Sequence, residues 1–434
     1  MRQWFFNTIY LLAFLLLSPW IAWRAIVQGK SRRGWKQKLL GQTAIGQHSA
    51  ATRIWLHAVS VGEVHLLEPL IKQLLAGDRK LDLFVSTGTE TGFDRAKELF
   101  GADHHVFFWP TDFSWAIHRT LDNLRPDLVV LMELELWPNF LRICANRNVN
   151  VAVANGRLSE KSFSGYQKFG WLMGSTFGDL AWVGVQNSTY ADRFIKLGVD
   201  SQRVEVTGNI KFDGLVDTLD TKARLGRELA SEFGFDDSHQ VVIAGSTQIE
   251  DERAALEAYA EARRDAANLR LVIVPRHPKR RDEIVELVRE FDFQPVLRSE
   301  FPTKPDLAAD GQAVLIVDVI GELTLWWSQA AIAFVGGSMG SRGGQNMIEP
   351  SAFGVAVCFG EHTRNFAATV SMLLAANGAV VVRNADELRG FIERVIGDAE
   401  FATALGTQAR AVVTQNQGAT GKTVDLLMGL TENH

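Results

Sequence analysis

The sequence predicts an α/β protein of two domains, each built on a parallel sheet covered by helices, behind a membrane-adapted N-terminal segment. Three observations carry this reading. From residue 53 onward, short β-branched apolar runs alternate with stretches whose apolar residues recur at helical spacing. Polar residues gather just after strand upon strand, where open α/β sheets bind ligands. A chain of 434 residues also has room for two or three domains.

The first element is Trp4–Trp23, an uncharged run closed at both ends by tryptophan and, as a helix, just long enough to cross a bilayer. Arg24, Lys30, Arg32, Arg33, Lys36 and Lys38 follow, a positive flank that would stay on the cytoplasmic side. No small-residue cleavage site follows the run, so an uncleaved anchor is expected. Asn7, Thr8, Ser18 and Pro19 weaken the span, and a helix lying in the membrane interface is the other arrangement.

In the body, strands are expected at 53–59, 81–86, 127–133, 149–154, 182–186 and 203–207. A second series is expected at 240–244, 269–275, 313–317, 330–335, 354–359 and 379–383. Leu67, Leu70, Ile71, Leu74 and Leu75 share a face of the first covering helix. The stretch from Phe212 to about Leu225 reads as the linker. The expected organisation is therefore 1–30 anchor and flank, 31–211 first domain and 212–434 second domain, with the last helical stretch assignable to either.

Composition narrows the function. Apolar residues make up 47% and charged residues 22%, as in ordinary globular chains. A net charge of −5 without a long basic tract beyond the first 40 residues argues against nucleic acid as a partner. Cys144 and Cys358 stand far apart, outside any disulfide or zinc pattern.

Ser60, Gly62 and Glu63, then Glu133 and Glu135, then Asn155 and Arg157 follow strands of the first series. Arg276 and His277, then Gly336, Gly337 and Ser338 follow strands of the second. Two such edges facing one another would enclose a cleft suited to two substrates. Glu63, at a strand-to-helix turn, is placed either to take a proton from a hydroxyl nucleophile or merely to complement the helix dipole. Period two puts Glu133 and Glu135 on one sheet face, directed at the cleft or paired with Arg157. In FVGGSMGSRGGQNMIEP a strand runs into a glycine-rich loop and a helix expected to start near Asn346, with N–H groups suited to a phosphate. Asn346 and Glu349 share a helical face, where a carboxylate can accept both ribose hydroxyls. The alternative is a glycine-rich turn with Glu349 at the helix start. The spacing is neither a Walker loop nor GxGxxG. His57 and His65 read as hydrogen-bonded neighbours rather than ligands, and no Asp-x-Asp pair occurs, so no metal is expected.

Together these motifs resemble the 3-deoxy-D-manno-octulosonic acid (Kdo) transferases of lipopolysaccharide assembly. HAVSVGE (57–63), STGTETG (86–92), MELELWPN (132–139), NGRLSEKSFSGY (155–166), TGNIKFD (207–213), AGST (244–247), VPRHP (274–278), FVGGS (334–338), GGQNMIEP (343–350) and FGEHTRNF (359–366) carry the resemblance. It implies a GT-B fold, two Rossmann-like domains facing across a cleft. It implies inverting transfer of Kdo, without metal or cofactor, from CMP-Kdo to a lipid A precursor (lipid IVA) at the cytoplasmic face of the inner membrane. Glu63 would be the base. Arg276, His277, Gly336, Gly337, Ser338, Asn346 and Glu349 would surround CMP, and Ser60, Gly62, Glu133, Glu135, Asn155 and Arg157 would contact the acceptor or transition state. Gln345 and Gln248 stand where the family usually has histidines. Two other readings remain at this point: a membrane-associated GT-B transferase using another nucleotide sugar, and an inactive lipid A binding protein.

Overall fold

The computed structural model describes residues 2–27, 33–43, 51–168, 170, 176–214, 218–300 and 311–432. The chain forms two compact units, Met1–Asp213 with Gln417–His434, and Gly214–Asn416.

The first unit holds β1 (Thr52–His57), β2 (Leu81–Thr87), β3 (His105–Phe108), β4 (Leu128–Met132), β5 (Asn150–Gly156), β6 (Trp182–Val185) and β7 (Val204–Val206), all parallel, in the order β3-β2-β1-β4-β5-β6-β7. The second holds β8 (Gln240–Thr247), β9 (Leu269–Pro275), β10 (Gln294–Leu297), β11 (Ala313–Ile316), β12 (Ile332–Val335), β13 (Ala356–Phe359) and β14 (Val380–Val381), also parallel, in the order β10-β11-β9-β8-β12-β13-β14. Central strands such as β4 and β9 are buried along their whole length, which is why β4 is a continuous apolar run and β9 is one from Leu271 onward, after the buried Arg270. Each sheet carries one apolar cluster on each face.

The strand order fixes where chemistry can sit. In the first sheet it reverses between β1 and β4, in the second between β8 and β12. At such a reversal the loops leave in opposite directions and open a crevice at the carboxyl edge. In the first unit those loops carry Ser60–Glu63 and Glu133–Glu135; in the second they carry Ser246–Gln248 and Gly336–Ser338.

Several expectations need correction. β3 and β10 were not foreseen, being four-residue strands that each pair on one side only. The linker is shorter than expected, because Ile210 and Phe212 are buried in the first unit and the helix Leu219–Glu232 is already under way by Leu219. The last helix, Ala419–Leu430, belongs to the first unit. Ala419, Val424 and Leu427 pack with Val64, Leu67 and Ile71, while the Asp213 carboxylate accepts from the Gly418 and Thr420 N–H groups and the Thr420 hydroxyl.

The N-terminal run is one helix, Arg2–Val27, yet no helix among the described residues is long and apolar enough to cross a membrane. Its first turns lie against the body: Phe6 is 4% exposed, and Asn7 and Tyr10 hydrogen-bond residues beyond 110. Asn7, one of the polar residues that weaken a span, is thus used for docking, whereas the Ser18 hydroxyl bonds its own helix at the Leu15 carbonyl.

Leu427 is fully buried in the first unit's core. Leu427→Ala is expected to lower that unit's unfolding free energy by about 2–5 kcal/mol, measured by urea denaturation with tryptophan fluorescence. An unchanged midpoint would show that the C-terminal helix does not complete this core.

Candidate active site

In the first unit, β1 ends at His57 and the helix Val61–Leu75 begins four residues later. Glu63 lies in its first turn. One carboxylate oxygen accepts from the Val59 N–H at 2.8 Å and the other from the Ser60 hydroxyl at 2.9 Å. Glu63 therefore closes the turn that presents it. The neighbouring loop is fastened to the same turn, because the Thr89 N–H and hydroxyl both donate to the Val59 carbonyl. His57 is not part of the chemistry. It is buried, stacked on Trp109 with centroids 3.9 Å apart and bonded to Ser86, and desolvation holds its ionisation down at about 3.

Burial raises the Glu63 carboxyl to about 7. The Val59 hydrogen bond opposes that rise, the negative charges of Glu133 and Glu135 add to it, and the Ser60 hydroxyl opposes it. Three carboxylates thus share one electrostatic neighbourhood at the switch point of the sheet. Their arrangement differs from the one expected. β4 stops at Met132, and Glu133 has left-handed backbone geometry, φ 58°, so the two-residue alternation does not extend to Glu133 and Glu135. The Glu133 carboxylate lies 3.4 Å from the Lys211 ammonium, whereas Arg157 meets Glu133 through the backbone, its N–H donating to the Glu133 carbonyl. Glu135 accepts from the Trp137 indole at 3.2 Å, and desolvation raises its carboxyl above the usual range. Asn155 is fully buried, also with positive φ, and its side-chain oxygen accepts from the Ile210 N–H. That bond brings the 209–212 turn, and Lys211 with it, to the end of β5. Lys211 was not singled out from the sequence, although it stands inside TGNIKFD; no spacing rule marks it.

The second unit's glycine loop differs most from expectation. Its N–H groups already have an anion. The buried Asp251 carboxylate accepts from Gly337 (2.7 Å), Ser338 (3.2 Å) and Met339 (2.9 Å), and from Gln248 (2.9 Å). Gln248 caps the helix Ile249–Ala262, with Asp251 completing the reciprocal box. An acidic residue three positions after a helix cap was the available signal. Ser338 is also structural, its hydroxyl donating to the Val335 carbonyl and accepting from the Gly360 N–H. The loop's contribution is shape. A Cβ on Gly336 would fall 2.7 Å from the Thr247 Cα, and Gly337 has φ +65° with the Gln345 side chain alongside. The helix expected near Asn346 runs only from Ile348 to Phe353, too short for a strong dipole.

Beyond this loop two of the expected residues, Asn346 and Glu349, come together. Glu349 accepts from the Asn346 amide at 2.9 Å and from the Thr324 hydroxyl at 3.2 Å, so its half-buried carboxylate is held in one orientation. Thr324 was not foreseen. Arg276 and His277 are exposed just beyond β9, and the Arg276 guanidinium has no partner among the described residues. Arg280, nearby, is committed to the fully buried Glu252. Among the described residues no group of three or more His, Cys, Asp or Glu is suited to a metal ion.

Residues 30–214 match the family model described as 3-deoxy-D-manno-octulosonic-acid transferase (kdotransferase). A 3-deoxy-D-manno-octulosonic acid transferase of Haemophilus influenzae is 33% identical over 383 residues, 88% of each chain. The chain belongs to the Kdo transferase family. It is therefore a glycosyltransferase, and the family resemblance carried by its motifs holds across both units. A Kdo transferase of Bordetella pertussis is 30% identical over 96% of this chain and 98% of its own. Among solved structures, a UDP-GlcNAc 2-epimerase of Neisseria meningitidis superposes with a TM-score of 0.62 over 87% of this chain and all of its own, at 15% identity, a likeness of fold alone.

The raised Glu63 has a consequence measurable without substrate. The folded chain keeps this proton up to about pH 7, whereas the unfolded chain releases it near the ordinary value of 4.5. The group's stabilisation is therefore full below the unfolded value and is lost as pH rises to the folded one. Glu63→Gln is expected to remove that fall from the stability–pH curve. Parallel curves for variant and wild type would place the perturbed group elsewhere.

Proposed function

We propose that this Kdo transferase moves Kdo from CMP-Kdo to a hydroxyl of a glucosamine-based lipid A precursor at the inner membrane's cytoplasmic face, with inversion and without a metal. The observation that carries the reading is Glu63: a carboxylate at a sheet's switch point, held by two hydrogen bonds and raised by burial to about 7, where a general base works best.

In this reading each unit contributes its own residues to the chemistry. Glu63 takes the proton of the acceptor hydroxyl as its oxygen bonds to the anomeric carbon of Kdo. The bond from that carbon to the phosphate oxygen breaks, and CMP departs. Attack opposite the leaving group inverts the centre. Ser60 and Val59 keep the Glu63 carboxylate aimed, and the Glu133–Lys211 pair offers polar contacts to the sugars. Arg276, whose guanidinium has no partner among the described residues, supplies positive charge to the departing phosphate, whereas the Gly337, Ser338 and Met339 N–H groups are engaged by Asp251. Glu349, oriented by Asn346 and Thr324, accepts the ribose hydroxyls. Gln248 and Gln345 have structural places here, as a helix cap and beside Gly337.

The decisive experiment is mass spectrometry of a lipid A precursor incubated with CMP-Kdo and the purified protein. A gain in mass by Kdo units is expected; binding of both substrates without turnover would favour an inactive lipid A binding protein. Glu63→Gln should lower transfer by about 10²–10⁴ with CMP affinity unchanged, and wild-type activity should fall as pH drops below about 7. Near-normal transfer by that variant would move the base to Glu133 or Glu135. Glu349→Ala should weaken CMP binding by about 1.5–3 kcal/mol, read by calorimetry, and unchanged affinity would remove Glu349 from the nucleotide site.

A further inference from the structure

The N-terminal helix is fastened to the first unit by a polar clamp. The Asn7 amide donates to the Ser114 hydroxyl at 2.7 Å, and its oxygen accepts from the Ser114 N–H and the Asn139 amide. Asn7 thereby caps the helix Ser114–Leu124. Three residues on, the Tyr10 hydroxyl donates to Asp112 at 2.8 Å. Asp112 is itself the cap of the helix Pro138–Asn146, accepting from the Asn139 and Phe140 N–H groups. Phe6, 4% exposed, and the Tyr10 ring, edge-on to Phe113, fill the space between these bonds.

The clamp is local. Leu17 lies on the same side of the helix as Phe6 and Tyr10, yet it is 52% exposed, so docking ends within the first turns. A second face, about a third of a turn round the helix, carries Phe5, Ile9, Leu12 and Leu16, spaced four, three and four apart. Leu16 is 80% exposed. Arg33 and Lys36 stand exposed after the helix, in a stretch whose sequence is rich in Lys and Arg. An uncharged aliphatic row followed by cations is the chemistry of an interfacial helix on an anionic bilayer. The helix capped by Asp112 also matters, because it directly follows the segment that carries Glu133, Glu135 and Trp137.

We propose that Asn7 and Tyr10 are positioning residues: their clamp makes the N-terminal helix a rigid membrane seat, with the Phe5–Ile9–Leu12–Leu16 row on lipid, and holds the Glu133–Glu135 segment at a fixed height above it. The clamp sits on the helix before β4 and on the helix that directly follows this segment, so it joins the lipid surface to the acceptor edge without a flexible tether. This rests on the lipid-acceptor reading above.

The test uses the full chain and anionic phosphatidylcholine/phosphatidylglycerol vesicles. In flotation, which needs no activity, Leu12→Glu/Leu16→Glu should lose binding by about tenfold or more, while Asn7→Ala/Tyr10→Phe should float like wild type. A Glu pair that floats normally would show that this row does not meet lipid and would overturn the seat. In transfer assays, the clamp variant should lose about tenfold in kcat/KM for acceptor embedded in vesicles and keep wild-type values for the same acceptor dispersed in detergent. Equal losses in both would mean that the clamp only shapes the site, and no loss in either would mean a free tether; both refute the positioning role. Wild type that floats but transfers no Kdo to either form would instead sink the proposed function and leave the seat standing.

Discussion

Parallel pairing is the constraint on which everything else depends. With every strand of a sheet running the same way, each connection must cross back over a face, so both faces are covered and the strands become apolar throughout. The same rule sends all strand ends of a unit to one edge, where backbone groups and loops meet water. Polar side chains have nowhere else to converge. The reversal of order between β1 and β4, and between β8 and β12, then selects one place on each edge. Glu63 with Glu133 and Glu135 occupies the first, and the Asp251-bound glycine loop the second.

What was legible in the sequence follows from how strongly each residue's neighbours are local. Central strands were legible because burial on two faces writes a continuous apolar run, as in Leu128–Met132. β3 and β10 were not, since each pairs on one side, over four residues, and His105 or Pro295 breaks the run. The role of Glu63 was half legible: a carboxylate in a helix's first turn is visible from spacing, but its raised ionisation depends on burial and on carboxylates some 70 residues away.

The misread residues share a cause. Glu133 was placed by strand alternation, yet its backbone turns left-handed one residue after β4, an event that no local pattern announces. Asp251 is one acid among three in a helix's first turn, not singled out from the sequence, and only the fold brings the Gly337–Met339 N–H groups to it. Asn7 read as a flaw in an apolar run because its partners lie at 114 and 139. In each case something outside the short-range pattern decides: a backbone turn at Glu133, and long-range hydrogen bonds at Asp251 and Asn7.

The internal carboxylate at the glycine loop has a further meaning. A loop whose amides point at an absent ligand must either stay hydrated or collapse, and a substrate that enters has to organise it. With Asp251 bound to three successive amides, the loop has its final geometry before any substrate arrives, and the conformational entropy of ordering it belongs to folding rather than to binding. It also leaves these three amides already donating, so they have no free N–H to offer a second anion. In the proposed nucleotide site, discrimination would then fall to the side chains Arg276, Thr324, Asn346 and Glu349, and donor preference would change by substitution on a fixed scaffold.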